Sequence, residues 1–170
     1  MTEPTYIPLR LHTEFSITDG MVRIKKLIAK AQEYGLPALG ISDLMNEFGL
    51  VKFYKVCRSA GIKPVGAADV WIGNPNAPDK PFRAMLIIRN DAGYLRLSEL
   101  LTAAYVGKDR NVHHAELNPE WLENGDNSGL ICLSGAHYGE VGVNLLNGNE
   151  DAARAAALKY AAWFPDAFYL

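Results

Sequence analysis

Apolar residues recur along this chain with two alternating periods. Tyr6 to His12 reads as a buried strand. From about Met21 to Tyr34, Ile24, Leu27, Ile28 and Ala31 recur at helical spacing until Gly35-Leu36-Pro37 stops the helix. Ala38 to Ser42 predicts a second strand. Leu50, Phe53, Tyr54 and Cys57 fall at i, i+3, i+4 and i+7, a helix that ends at Gly61, and Pro64 to Ile72 reads as a third strand.

The turn-rich run from Gly73 to Pro81 precedes a fourth strand over about Phe82 to Arg89. Asn90 is placed to cap a helix carrying Tyr94, Leu97, Leu100, Leu101 and Ala104. Residues 106 to 128 are mostly loop, with a short helix starting at Pro119. Gly129 to Leu133 is a fifth strand, followed by a short helical piece near Glu140 to Leu146. Asn149, Glu150 and Asp151 open an alanine-rich helix to about Phe164, and Phe168-Tyr169-Leu170 begins a sixth strand. Strands alternating with helices imply an α/β fold with a mostly parallel sheet and right-handed crossovers.

Composition narrows the class. A chain of 170 residues with 49% hydrophobic and 21% charged content is about one globular domain. A net charge of -2 supplies no overall grip on nucleic acid. Glu3, Arg10, Glu14 and Asp19 interrupt the first 25 residues, leaving no continuous apolar stretch for a signal peptide or membrane span. Cys57 and Cys132 are far apart in apolar surroundings, which fits reduced thiols in the cytoplasm; a single bridge remains open.

The polar residues of chemical interest fall where strands end: His12, Asp43, Asp69 and Ser134. With Asp19, the first three would make a carboxylate-rich pocket holding one imidazole, a donor set suited to divalent ions that polarise phosphate. Spacing alone also allows Asp19 as a turn residue, Asp43 as a helix cap and Asp69 as a strand-end charge. Two residues before His12 stands Arg10, whose guanidinium stays protonated and offers only donors. His113 and His114 are expected to be solvent-exposed or capping. His137 follows the fifth strand at the same rim, in reach of the pocket or apart from it. Trp71, Trp121 and Trp163 are too dispersed for a base-stacking platform and are assigned to core or loop anchoring.

Several runs carry a resemblance. Leu9 to Gly20, Gly35 to Asp43, Phe48 to Tyr54, Gly61 to Pro64, Asn90 to Tyr94 and Leu133-Ser134-Gly135 are, in this order, similar to the N-terminal PHP (polymerase and histidinol phosphatase) domains of bacterial DNA polymerase III alpha subunits. The resemblance covers essentially the whole chain. It implies a seven-stranded TIM-like (β/α) barrel, of which residues 1–170 would be a single domain fragment, incomplete on its C-terminal side, with an open sheet edge.

Intact members bind a metal cluster and hydrolyse phosphate esters. On the family's metal motifs this sequence keeps His12, Asp19 and Asp43 and has Asp69 where glutamate is usual. Arg10, Leu44 and Arg83 replace three histidines, and Ala136 takes a position that is often cysteine. Two arginines entering a carboxylate pocket can supply the positive charge that metals would bring. The pocket, Arg10, His12, Asp19, Asp43, Leu44, Asp69 and Arg83, is therefore expected to be a vestigial metal site converted to salt bridges, with no catalytic residue and no metal.

For the parent polypeptide the resemblance implies DNA-templated DNA synthesis, with Mg held by a palm domain outside this sequence. It implies a scaffold role for this domain, docking of the proofreading exonuclease subunit and other polymerase III holoenzyme subunits, DNA contact through other domains, and no membrane. The rival reading is an active metal-dependent phosphoesterase or 3'-5' proofreading exonuclease, against which Leu44 argues most directly because it offers no ligand atom.

Overall fold

The computed structural model describes residues 6–170; Glu3 lies outside them. The helices are α1 (Ile24–Glu33), α2 (Leu50–Ser59), α3 (Asp91–Val106), α4 (Pro119–Glu123), α5 (Glu140–Leu146) and α6 (Glu150–Trp163). The strands are β1 (Ala38–Leu44), β2 (Lys63–Ile72), β3 (Phe82–Ile88), β4 (Leu130–Leu133) and β5 (Phe168–Tyr169), in the sheet order β1-β2-β3-β4-β5. The chain divides into two compact units, Met1–Asp69 and Val70–Leu170, with β2 running through the division.

In the first unit β1 and β2 are parallel, with Ala38 opposite Lys63 and Leu44 opposite Asp69. Helices α1 and α2 bury Ile24, Ile28, Ala31, Phe53 and Cys57 against Leu39 and Ile41 of β1. The strand expected over Tyr6 to His12 does not form. Its segment runs beside β1, but side chains take over the ladder: Gly40 N–H donates to Pro8 O at 2.8 Å and Ser42 N–H to Leu11 O at 2.9 Å, while Leu11 N–H donates to Ser42 Oγ at 3.1 Å and Thr13 N–H to Asp43 Oδ1 at 2.6 Å. Pro8 has no N–H to offer a regular ladder. The approach is so close that a Cβ on Gly40 would lie 2.8 Å from Leu9 Cα. Helix α1 starts at Ile24 rather than Met21 because Val22 is held in a parallel bridge with Thr13.

In the second unit β4 and β5 are parallel, but β3 and β4 are antiparallel, with Met85 opposite Leu133 and Ile88 opposite Leu130. The β3–β4 pair is thus an antiparallel exception in a sheet expected to be mostly parallel. The sixteen residues of α3 carry the chain about 24 Å away from the end of β3. The long stretch that follows then brings it back to the same end, where Arg89 N–H donates to Gly129 O at 2.9 Å. On its way it is pinned by a bridge between Ile72 and Leu117.

Asn90 caps α3 by accepting from Gly93 N–H at 3.0 Å, and Asn118 caps α4, which has proline in its first turn. Asn149 precedes α6 without a side-chain cap, so Glu150 and Asp151 in the first turn supply the favourable charge. Buried Asn127 donates to Leu122 O at 2.6 Å and to Trp163 O at 3.1 Å, tying α4 to α6. Among the described residues no helix is long and apolar enough to cross a membrane.

Candidate functional site, an ion cluster at the ends of β1 and β2

Extended backbone sends alternate side chains to opposite sides. In the segment beside β1, Arg10 and His12 therefore share one side and Leu11 and Thr13 the other. The first pair meets Asp69 at the end of β2. Its Oδ2 accepts from Arg10 Nε at 2.7 Å and from His12 Nε2 at 2.6 Å. On the far side of the imidazole, His12 Nδ1 lies 2.8 Å from Asp19 Oδ2.

Burial sets the character of each member. The Asp69 side chain is 2% exposed and that of His12 is 10%, whereas Arg10 is 56% exposed and Asp19 43%. Carboxylate oxygens accept, so a carboxylate on each nitrogen favours the cationic imidazole, which donates from both. The hydrogen bond to Asp69 raises the His12 pKa from its ordinary 6.5, against desolvation that lowers it, and Asp19 adds to the rise. Two cations then balance two carboxylates.

Asp43 stands apart from this cluster. It pairs in register with Ala68, one step from the Leu44–Asp69 pair, so the two carboxylates leave opposite faces of the strand pair. Asp43 is 1% exposed and its oxygens accept from Thr13 N–H at 2.6 Å, Thr13 Oγ1 at 2.8 and 2.9 Å, and Ser16 Oγ at 2.7 Å. Ser16 Oγ in turn accepts from Leu44 N–H at 3.1 Å. A Cβ on Gly49, the residue before α2, would lie 3.1 Å from Asp43 Oδ2, which places the carboxylate by the positive end of that helix. Leu44 shares the face of Asp69 and brings no ligand atom to it.

Arg83 lies in β3, in the second unit, with its guanidinium 4.8 Å from the centre of the Trp71 ring. Ser134 is buried and receives β5 through its N–H, which donates to Tyr169 O at 2.9 Å. His137 is exposed in a short 3-10 turn, Ala136–Tyr138, with its ring 3.9 Å from that of Tyr138. His113 is exposed, while His114 is half-buried and pairs with Glu116 at 2.9 Å. Among the described residues, no three His, Cys, Asp or Glu side chains are grouped so as to hold a metal ion.

Thr13 and Ser16, which satisfy Asp43, were not singled out in the sequence, nor was Asn46, whose Nδ2 donates to Phe15 O at 3.0 Å and Leu44 O at 2.9 Å. For Thr13 and Ser16 the signal is a pair of hydroxyl residues at spacing three just after His12.

The chain matches the family model of the PHP domain over residues 8–170 and belongs to that family. Its similarity to curated proteins is specific. It is 98% identical over 170 residues to DNA polymerase III subunit alpha of Neisseria meningitidis serogroup A, covering all of this chain and 15% of that protein. It is 42% identical over 167 residues to the subunit of the same name from Pseudomonas fluorescens, covering 98% of this chain and 14% of that protein. The one from Escherichia coli strain K12 is 36% identical over 170 residues, with 14% of that protein covered. The chain thus spans about 15% of the length of the curated relatives it matches. Among solved structures, an amidohydrolase from Chromobacterium violaceum aligns with a TM-score of 0.46 and 17% identity over 58% of this chain and 32% of that one.

Proposed function

We propose that residues 1–170 are part of a PHP domain that serves a replicative DNA polymerase III alpha subunit as a non-catalytic scaffold. The whole subunit then carries out DNA-templated DNA synthesis in the cytoplasm, with Mg held in its palm domain. This domain supplies a docking surface for the proofreading exonuclease subunit within the holoenzyme. Support for the polymerase assignment is the identity to curated subunits along the whole chain.

The observation that carries the non-catalytic reading is the engagement of both His12 nitrogens by carboxylates, with Arg10 on the same Asp69 oxygen. A metal needs a lone pair from neutral imidazole and carboxylate charge that fixed cations have not already neutralised. Here the imidazole is a double donor, an arginine occupies the central carboxylate, and Asp43 is consumed by Thr13 and Ser16. The residues do not fit a resident metal cluster, so no hydrolytic step is assigned to them.

Two measurements test this. The protein purified without chelator is expected to carry no stoichiometric Zn, Mn or Fe and to leave phosphate monoesters and single-stranded DNA intact; bound metal with hydrolysis would establish the phosphoesterase or exonuclease reading instead. Immobilised protein is expected to retain the purified exonuclease subunit, and absence of retention would remove the docking role.

A further inference from the structure

The modest net charge of the chain conceals a division. Residues 1–69 carry nine Lys and Arg against seven Asp and Glu, whereas residues 70–170 carry eight against twelve. The positive excess is concentrated on α1, α2 and the residue before α1. Arg23, Lys25, Lys26, Lys30, Lys52, Lys55 and Arg58 are all exposed, and Glu33 is the single acidic residue in the two helices.

The pairing on this face is sparse. Lys30 takes Glu33 at 2.8 Å, while Arg23 and Lys52 share Glu14 at 4.0 and 3.4 Å. Lys25, Lys26, Lys55 and Arg58 make no ion pair among the described residues. The helices lie side by side and run in the same direction. Ile24 at the start of α1 approaches Gly49 at the start of α2, and Gln32 at the end of α1 donates to Ala60 O beyond α2 at 3.3 Å. Their cations therefore lie along two adjacent, parallel helices.

Folding accounts for only part of that charge: Lys30 and Arg58, in the last turns, suit the helix dipoles. Lys25 and Lys26 occupy the first turn of α1 and Lys52 that of α2, where the helix dipole favours acids, and neither first turn contains one. First-turn lysines that oppose the dipole, on helices whose other cations repel them, break a local rule without a structural gain. Beside the cations stand exposed rings: Tyr34 is 63% exposed and Tyr54 53%, with Lys30 Nζ 4.8 Å from the centre of the Tyr34 ring.

From this juxtaposition we infer that the α1–α2 face binds single-stranded nucleic acid, with phosphates on Lys25, Lys26, Lys55 and Arg58 and bases stacked on Tyr34 and Tyr54. Charge complementarity selects a polyanion, and phosphates are the groups lysine serves as a point charge. Exposed rings beside the cations select an unpaired strand, since only unstacked bases offer π-faces. The inference goes beyond the scaffold role, because this chain itself would then hold nucleic acid.

The test is fluorescence anisotropy of a labelled oligothymidylate with the 170-residue chain over a range of NaCl concentrations. Binding is expected at about 50 mM salt, weakening linearly on log axes with a slope of about 0.7 per phosphate neutralised. The double variant K26E/K55E should lower that slope by about 1.4. Tyr54→Ala should weaken binding while leaving the slope unchanged, a split that a purely electrostatic contact would not give. Coincident thermal melts establish that the variants fold, and K26Q/K55Q replaces the glutamate pair if that one does not. No binding at low salt, or a slope unaffected by the charge variants, overturns the inference. Displacement of the oligonucleotide by polyglutamate at lower charge concentration than by unlabelled oligothymidylate also overturns it, in favour of an acidic protein partner.

Discussion

His12 Nε2 lies 2.6 Å from Oδ2 of Asp69, the oxygen that also receives Arg10 Nε at 2.7 Å. One buried carboxylate oxygen thus organises two cations of unlike exposure. The consequences of removing each are correspondingly unlike.

Arg10→Ala is expected to cost about 1 kcal/mol, the scale of a pair with one solvated partner. His12→Ala should cost more, on the order of 3 kcal/mol, because it leaves Asp69 buried with a weakened set of partners and takes one from Asp19. Urea titration of both variants checks the order, and a larger loss for Arg10→Ala would contradict it.

Stability should depend on pH through His12. Its folded pKa is raised above the ordinary 6.5, chiefly by the hydrogen bond to Asp69, so the charged form is favoured in the folded state. The contribution is fully present below the unfolded value and is lost as pH rises through the folded one. Denaturant midpoints should therefore fall on going upward from about pH 6.5, and His12→Gln should flatten that portion of the profile. Histidine carbon shifts followed by NMR give the same pKa independently.

Thr13→Val removes a hydroxyl that contacts both oxygens of Asp43 and leaves a buried carboxylate short of a donor. A loss of about 2 kcal/mol is expected. Ser16→Ala should act in the same direction, since it also orphans the Leu44 N–H. Calorimetric melts of the two variants, with the double variant to detect coupling through Asp43, are the measurement.

Both cysteines should be inert in the folded protein. Each is free and fully buried, and burial pushes the Cys57 thiol up to about 11 and the Cys132 thiol higher still. A thiol reagent at neutral pH should label them only as fast as the protein unfolds, and prompt labelling would show that either is accessible.

The helices were legible because each carries its own signals, the Ile24-Ile28-Ala31 stripe in α1 and the Asn90 cap of α3 among them. The first strand was not, because apolar content says nothing about donors and acceptors: Ser42 Oγ and the Asp43 carboxylate replaced the backbone of a ladder. The direction of β4 was hidden too, since a long connection after α3 returns to either end of a sheet with the same composition. At the cluster, the residue types at Arg10, His12, Asp19 and Asp69 announced charge pairing. The separation of Asp43 from Asp69 rests on a single step of strand register, which only the pairing of β1 with β2 defines.

The segment from Arg10 to Thr13 is read alternately from two sides, even positions by Asp69 and odd ones by the Ser42-Asp43 edge of β1. Its reading frame is therefore as consequential as its composition. Deleting Leu11 would turn His12 toward the β1 edge and offer Thr13 to Asp69, so both clusters would fail together although every charged and hydroxyl residue remained. Conservative substitutions in this stretch would be felt one at a time, whereas any odd change in its length would scramble the code at once.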